Sequence, residues 1–194
     1  MNHRDRALFQ RAYRITTSDS SSSSERVIAF RSWQELSAKG YIRSTFYLGV
    51  CYDNGYGVKK SYKNAFSAFS RAARDGHSVA QYNLYQMYYR GVGVRKDLKK
   101  CLFWLRKAAQ NRDIAAIRDL GYHYHNGKLI KRNFSKTAQL YRRAAAAGDA
   151  KAQWNLALCY RDGEGVKQSN RWSSHWILKA EKSGSEGARA YLKR

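Results

Sequence analysis

The residues with chemistry to offer are cations that return at a fixed interval. Lys59 and Lys60 follow Val58, Arg95 and Lys96 follow Val94, Lys131 and Arg132 follow Ile130, and Lys167 follows Val166, each set 36 residues after the last. Behind them stand Ser61, Asp97, Asn133 and Ser169, and two positions further come Lys63, Lys99, Ser135 and Arg171. A Ser, Asp or Asn in such a place caps a helix by accepting from its unpaired amides. Cations in the first turn are opposed by the helix dipole, at about 0.3–1 kcal/mol per exposed site, so helix propensity does not explain them. Combined with free amides, they make a good holder of an anion, whether phosphate or carboxylate. Tyr89 aligns with Asp53, His125 and Arg161, which reads as an exposed position. Beside Arg90 and Arg95, its ring is fit to stack on a base or to anchor a partner.

Nucleophilic and metal chemistry find less to work with. Cys51, Met87, His123 and Cys159 share one register and read as buried packing residues, as does Cys101 in the register of Ala65. His123 and His125 stand two apart, which on a helix points them to different faces. His77 and His175 have no arrangement of Cys, Asp or Glu that would make a nucleophile or a metal site. The chain reads as a non-enzyme, with no catalytic residue, no metal site and no cofactor.

The elements that must position the cations follow from the same interval. Gly55, Gly91, Gly127 and Gly163 lie 36 residues apart, and Leu48, Leu84, Leu120, Leu156 and Tyr52, Tyr88, Tyr124, Tyr160 keep step with them. Such strict repetition is the signature of a repeat architecture. Before each glycine, apolar residues recur at helical spacing, which predicts a helix with a wide buried face. The glycine supplies the left-handed backbone on which helices often end. A second helix starts at the cap and carries Phe69, Leu105, Tyr141 or Ile177, then small alanines for close packing. No period-two alternation suggests strands, so the spacing predicts an all-α fold, a short right-handed α-solenoid of helix pairs. Stacked units would align the cations as a ladder along one edge. A further series, Arg71, Lys107, Arg143 and Lys179, reads as structural, its stems covering apolar surface.

Ala80-Gln81-Tyr82-Asn83-Leu84 with Tyr88, Gly91-Val92-Gly93-Val94, Trp104 and Lys107-Ala108-Ala109 resemble a Sel1-like repeat, a relative of the tetratricopeptide repeat. The unit with Ala152-Gln153-Trp154-Asn155-Leu156 and Gly163-Glu164-Gly165-Val166 is the best match. The resemblance implies helical hairpins stacked as a protein-binding adaptor without catalytic residues. It covers roughly residues 27–194, with four units near 44–79, 80–115, 116–151 and 152–187. This sequence departs from the family pattern at Leu129, which replaces the second glycine, at Arg112, which stands where other units have Gly76, Gly148 and Gly184, and at Tyr85, which replaces a small residue. Cations also stand where such repeats usually have proline, and the chain has none.

The same ruler divides the chain into residues 1–25, an N-terminal helix and a Ser-rich connector, and 26–194, the repeats. Residues 26–40 read as the second helix of a degenerate first unit, with its first helix in ALFQRAYR. Ala188 and Leu192 continue the register as a short C-terminal capping helix. Arginines at 4, 6, 11 and 14 also have the composition of an organellar import segment in a eukaryote. Three cysteines in 194 residues and no apolar run of membrane-spanning length point to a cytoplasmic protein. A net charge of +23 calls for an anionic partner. Two function classes follow. One is a scaffold or adaptor docking an acidic protein; the alternative is a nucleic-acid-associated protein contacting phosphates through the same ladder.

Overall fold

The computed structural model describes residues 1–193. Among the described residues there are eleven helices and no strand. They are α1 (His3–Thr17), α2 (Ser23–Ala38), α3 (Ile42–Asn54), α4 (Tyr62–Arg74), α5 (Ser78–Arg90), α6 (Leu98–Gln110), α7 (Ile114–Asn126), α8 (Phe134–Ala146), α9 (Ala150–Asp162), α10 (Asn170–Lys182) and α11 (Glu186–Leu192). The chain forms two compact units, Met1–Trp104 and Leu105–Arg194, and the division falls within α6.

Local chemistry sets the helix ends. α3, α5, α7 and α9 each stop at a left-handed glycine, with φ of 73° at Gly55, 73° at Gly91, 69° at Gly127 and 74° at Gly163. Ser61, Asn133 and Ser169 cap α4, α8 and α10 by accepting from the amide three residues on, and Asp97 does the same for the amide of Lys100. The helices that follow the tight turns are capped as well, α7 and α9 by Asp113 and Asp149, α5 by the ring Nδ1 of His77. Those turns need a left-handed residue, and Gly76 and Gly148 supply it with φ of 91°. In the third copy Arg112 takes that conformation at φ 62°. It fits because a Cβ at Gly76, Gly148 or Gly184 would meet nothing within 4 Å. The residual cost is intrinsic to a side chain in left-handed backbone, about 1–2 kcal/mol.

In the first unit α1 packs on α2, α2 on α3, α3 on α4 and α4 on α5. Its N-terminal core is aromatic: Trp33 lies stacked on Tyr47 at 4.7 Å, with Phe9 edge-on to it at 5.1 Å. Trp33 Nε1 donates to Thr16, and the Tyr56 hydroxyl donates to the Ile15 carbonyl, so the C-terminal end of α1 is tied down. Its N-terminal end is held by Asp5, only 2% exposed, which accepts from Lys39 Nζ and from the Tyr41 hydroxyl at 2.9 Å. The serine run is less of a connector than its composition suggests. Ser22 caps α2 in a capping box with Glu25, and Ser23 and Ser24 are already helical, because reciprocal side-chain bonds satisfy the first amides.

In the second unit α7 packs on α8, α8 on α9, α9 on α10 and α10 on α11. Arg118 of α7 donates to Asp149, the cap of α9, at 2.9 Å. Gly121 on α7 faces Tyr141 on α8 so closely that a Cβ would lie 2.9 Å from the ring. Ala157, Ile177, Ala180 and Ala188 cluster with Trp154 and Trp176 around α9, α10 and α11.

Two substitutions test this account by urea unfolding. Arg112→Gly is expected to stabilise the protein by about 0.5–1 kcal/mol, since relief of left-handed strain exceeds the added chain entropy. Gly121→Ala is expected to destabilise it by about 1–3 kcal/mol through overpacking against Tyr141. A third concerns acid. The Lys39 ammonium beside Asp5 holds its carboxyl below the ordinary 3.8. The stabilisation is therefore present above that value and is lost as pH falls through the lower folded-state value. Asp5→Asn is expected to lower Tm at pH 7 and to flatten the fall of Tm on acidification.

Candidate functional site

The loops that carry the cations are fixed by main chain. In every copy the N–H of the cap residue reaches back to the tyrosine at the end of the preceding helix. Ser61 donates to the Tyr52 carbonyl at 2.9 Å, Asp97 to Tyr88 at 3.1 Å, Asn133 to Tyr124 at 2.9 Å and Ser169 to Tyr160 at 2.9 Å. The second glycine of each Gly-x-Gly then presses on the first turn of an earlier helix. A Cβ on Gly93 would lie 2.3 Å from the Tyr62 carbonyl oxygen, and one on Gly165 would lie within van der Waals radii of the Phe134 carbonyl. No side chain fits there.

This contact brings cations together within each unit. In the first unit the loop bearing Arg95 and Lys96 lies against the start of α4, where Lys59, Lys60 and Lys63 stand. In the second, the loop bearing Lys167 lies against the start of α8, beside Lys131 and Arg132. None of α4, α6, α8 and α10 has an acidic residue in its first turn.

Side-chain contacts sort the expected site residues into two groups. Lys60 Nζ lies over the Tyr62 ring at 4.7 Å, Lys96 over Tyr89 at 5.9 Å and Arg132 over Phe134 at 5.2 Å. The Tyr62 side chain beside it also raises the Lys60 ammonium above its ordinary range. The second cation of each pair is thus folded onto an aromatic neighbour. Lys59, Lys63, Arg95, Lys99, Lys131, Lys167 and Arg171 are exposed, and among the described residues their side chains have no ion-pair, hydrogen-bond or ring partner. Tyr89 is 41% exposed and is covered by Lys96 rather than by Arg90 or Arg95. The acids at or near these loops are already engaged: Asp97, the cap of α6, pairs with Lys100 at 3.7 Å, Glu164 with His125 at 2.9 Å and Asp162 with Arg161, while Asp119 and Asp149 are taken by Arg118.

One stacking position escaped the sequence reading. Lys100 Nζ lies over Tyr88 at 5.6 Å and Lys136 over Tyr124 at 5.3 Å, while Trp172 stacks on Tyr160 at 6.1 Å with 27° between the rings. These three residues occupy one register, 36 apart, and that register was the signal that could have found them.

The cysteines and His123 are buried. Burial pushes the Cys51 and Cys159 thiols up to about 12 and Cys101 to about 11, and lowers His123. Among the described residues no group of His, Cys, Asp or Glu converges to hold a metal ion, and no helix is long and apolar enough to cross a membrane.

Helix pairs whose first helix ends at a left-handed glycine, returning every 36 residues, define a helical-hairpin repeat of the α-solenoid class. The model of the Sel1 repeat matches residues 42–77, 78–113, 114–149 and 150–185, and the chain belongs to that family. These units begin two residues before those read from the sequence, a difference only in where the period is cut. A Sel1 repeat protein from Oxalobacter formigenes is 27% identical, with a TM-score of 0.90 over 97% of this chain and 55% of its own. A protective antigen of uropathogenic Escherichia coli with an SLR fold is 28% identical, with a TM-score of 0.84 over 95% of this chain and 39% of its own. The chain thus spans about half or less of the length of these two. Helicobacter pylori cysteine rich protein B is 26% identical, with a TM-score of 0.54 over 69% of this chain and 96% of its own. Among curated proteins none matches. Sel1 repeat proteins generally mediate protein–protein interaction and are typically non-catalytic scaffolds.

Burial predicts that none of the three thiols titrates with a thiol reagent at pH 8 in the native protein, and that all three do so in denaturant. A fast-reacting thiol in the native state would contradict the buried register.

Proposed function

We propose that this chain is a non-enzymatic cytoplasmic scaffold or adaptor that docks an acidic protein along the basic loop edges of its units. The observation that carries this reading is the set of seven exposed cations left without partners at helix N-termini that bear no first-turn acid. Left unpaired, these charges cost helix stability. Opposite a carboxylate surface they steer encounter and set orientation. The three cations laid on aromatic rings add a positive surface whose side chains are already ordered, so less rotamer entropy is lost on binding.

The test is a native pull-down washed with and without nuclease, followed by binding kinetics of the recovered protein. An acidic protein is expected to survive nuclease. With Lys59→Glu, Arg95→Glu, Lys131→Glu and Lys167→Glu combined, its association rate is expected to fall at least about tenfold and to lose most of its salt dependence. Unchanged kinetics would overturn the reading. Recovery of nucleic acid alone would replace it with phosphate contact through the same cations.

A further inference from the structure

The fourth repeat differs from its siblings at one point on the loop edge. The residue laid on the tyrosine at the end of the preceding helix is Lys100 in the second repeat and Lys136 in the third, but Trp172 in the fourth. The indole is stacked on Tyr160 and still 48% exposed. It borders a cleft of about 600 Å³, lined also by Arg142, Tyr160, Lys167 and Gln168. Arg142 Nη2 donates to the Tyr160 hydroxyl at 3.2 Å, which holds the guanidinium at one rim. Lys167 stands at another with no partner among the described residues. Gln168 replaces the cation of the other three repeats and donates to the Arg161 carbonyl at 2.8 Å, so no charge is folded onto the ring from that side.

The chemistry of the lining selects the occupant. It contains no carboxylate, and Val166 is its one aliphatic side chain. Its apolar surface comes chiefly from the rings of Tyr160 and Trp172, and a flat π face between two cations suits a planar ring joined to phosphates. We infer that the Trp172 cleft is a seat for single-stranded nucleic acid, with one base stacked on the indole and the flanking phosphates on Arg142 and Lys167. This goes beyond the scaffold reading and does not rest on it.

The test uses the full chain and a fluorescein-labelled 12-residue oligothymidylate, followed by anisotropy at several salt concentrations. Trp172→Lys is the decisive variant. Lysine occupies this position over the equivalent tyrosine in two sibling repeats, so the fold accepts it, and it adds a positive charge. Base stacking predicts binding about 5- to 100-fold weaker in Trp172→Lys, with Trp172→Phe in between. The wild type is also expected to show an indole quench on binding that Trp172→Phe lacks. Arg142→Ala with Lys167→Ala is expected to reduce the salt slope by about one to two. Binding by Trp172→Lys as tight as wild type or tighter would show attraction by charge alone and overturn the inference. Equally tight binding of an abasic strand of the same length would do so too. A polyglutamate peptide that binds more tightly than the oligonucleotide and is weakened by Trp172→Lys would make the cleft an acidic-peptide seat instead.

Discussion

The structure depends on a main-chain contact that only a hydrogen atom permits. The second glycine of the loop sits against the first turn of an earlier helix, at Arg26 for Gly57, Tyr62 for Gly93 and Phe134 for Gly165. With φ near 70° and a carbonyl oxygen where a Cβ would be, each of these glycines excludes every other residue for two separate reasons. The contact fixes the distance from one hairpin to the next, and the back-bond from cap N–H to tyrosine carbonyl fixes the path of the loop. In the three loops with a second glycine the surface inherits its position from both constraints, and in the third repeat, where Leu129 stands instead, from the back-bond of Asn133 to Tyr124.

Charge is distributed by the same logic. Asp5, Asp113, Asp149 and Glu164 cap helices or tie them to their neighbours, and Asp119 pairs with Arg118 beside it, so these acids are consumed inside the fold. The cations at the loops have no such employment. Where they are restrained at all, it is by aromatic faces, which attract a cation without neutralising it. The surface therefore keeps its full charge while losing some of its side-chain freedom.

The features legible in the sequence were those that repeat at one position or act over three or four residues. The helix stops at Gly55, Gly91, Gly127 and Gly163, the caps at Ser61, Asp97, Asn133 and Ser169, and the buried register of Cys51, His123 and Cys159 all belong to that group. Features made by two side chains brought together through a loop were not legible. Tyr89 looked paired with its chain neighbours, yet Lys96 reaches it from seven residues on, because the loop folds back along the end of α5. His77 as a cap was hidden because imidazole is an uncommon substitute for Asp or Ser there. The serine run misled for a related reason. Composition reports mean flexibility, while a single Ser22 and Glu25 pair decides where α2 begins.

The back-bond that closes each loop runs from main chain to main chain, and in the three loops that have a second glycine its contact adds no side chain of its own. The residues at 59, 95, 131 and 167 therefore lie outside the interactions that fold the hairpin. For inheritance this is a division of labour: mutation can rewrite each of these positions singly, and natural selection on recognition can proceed there without passing through a poorly folded intermediate. A duplicated hairpin would arrive with its frame intact and one surface letter free to drift.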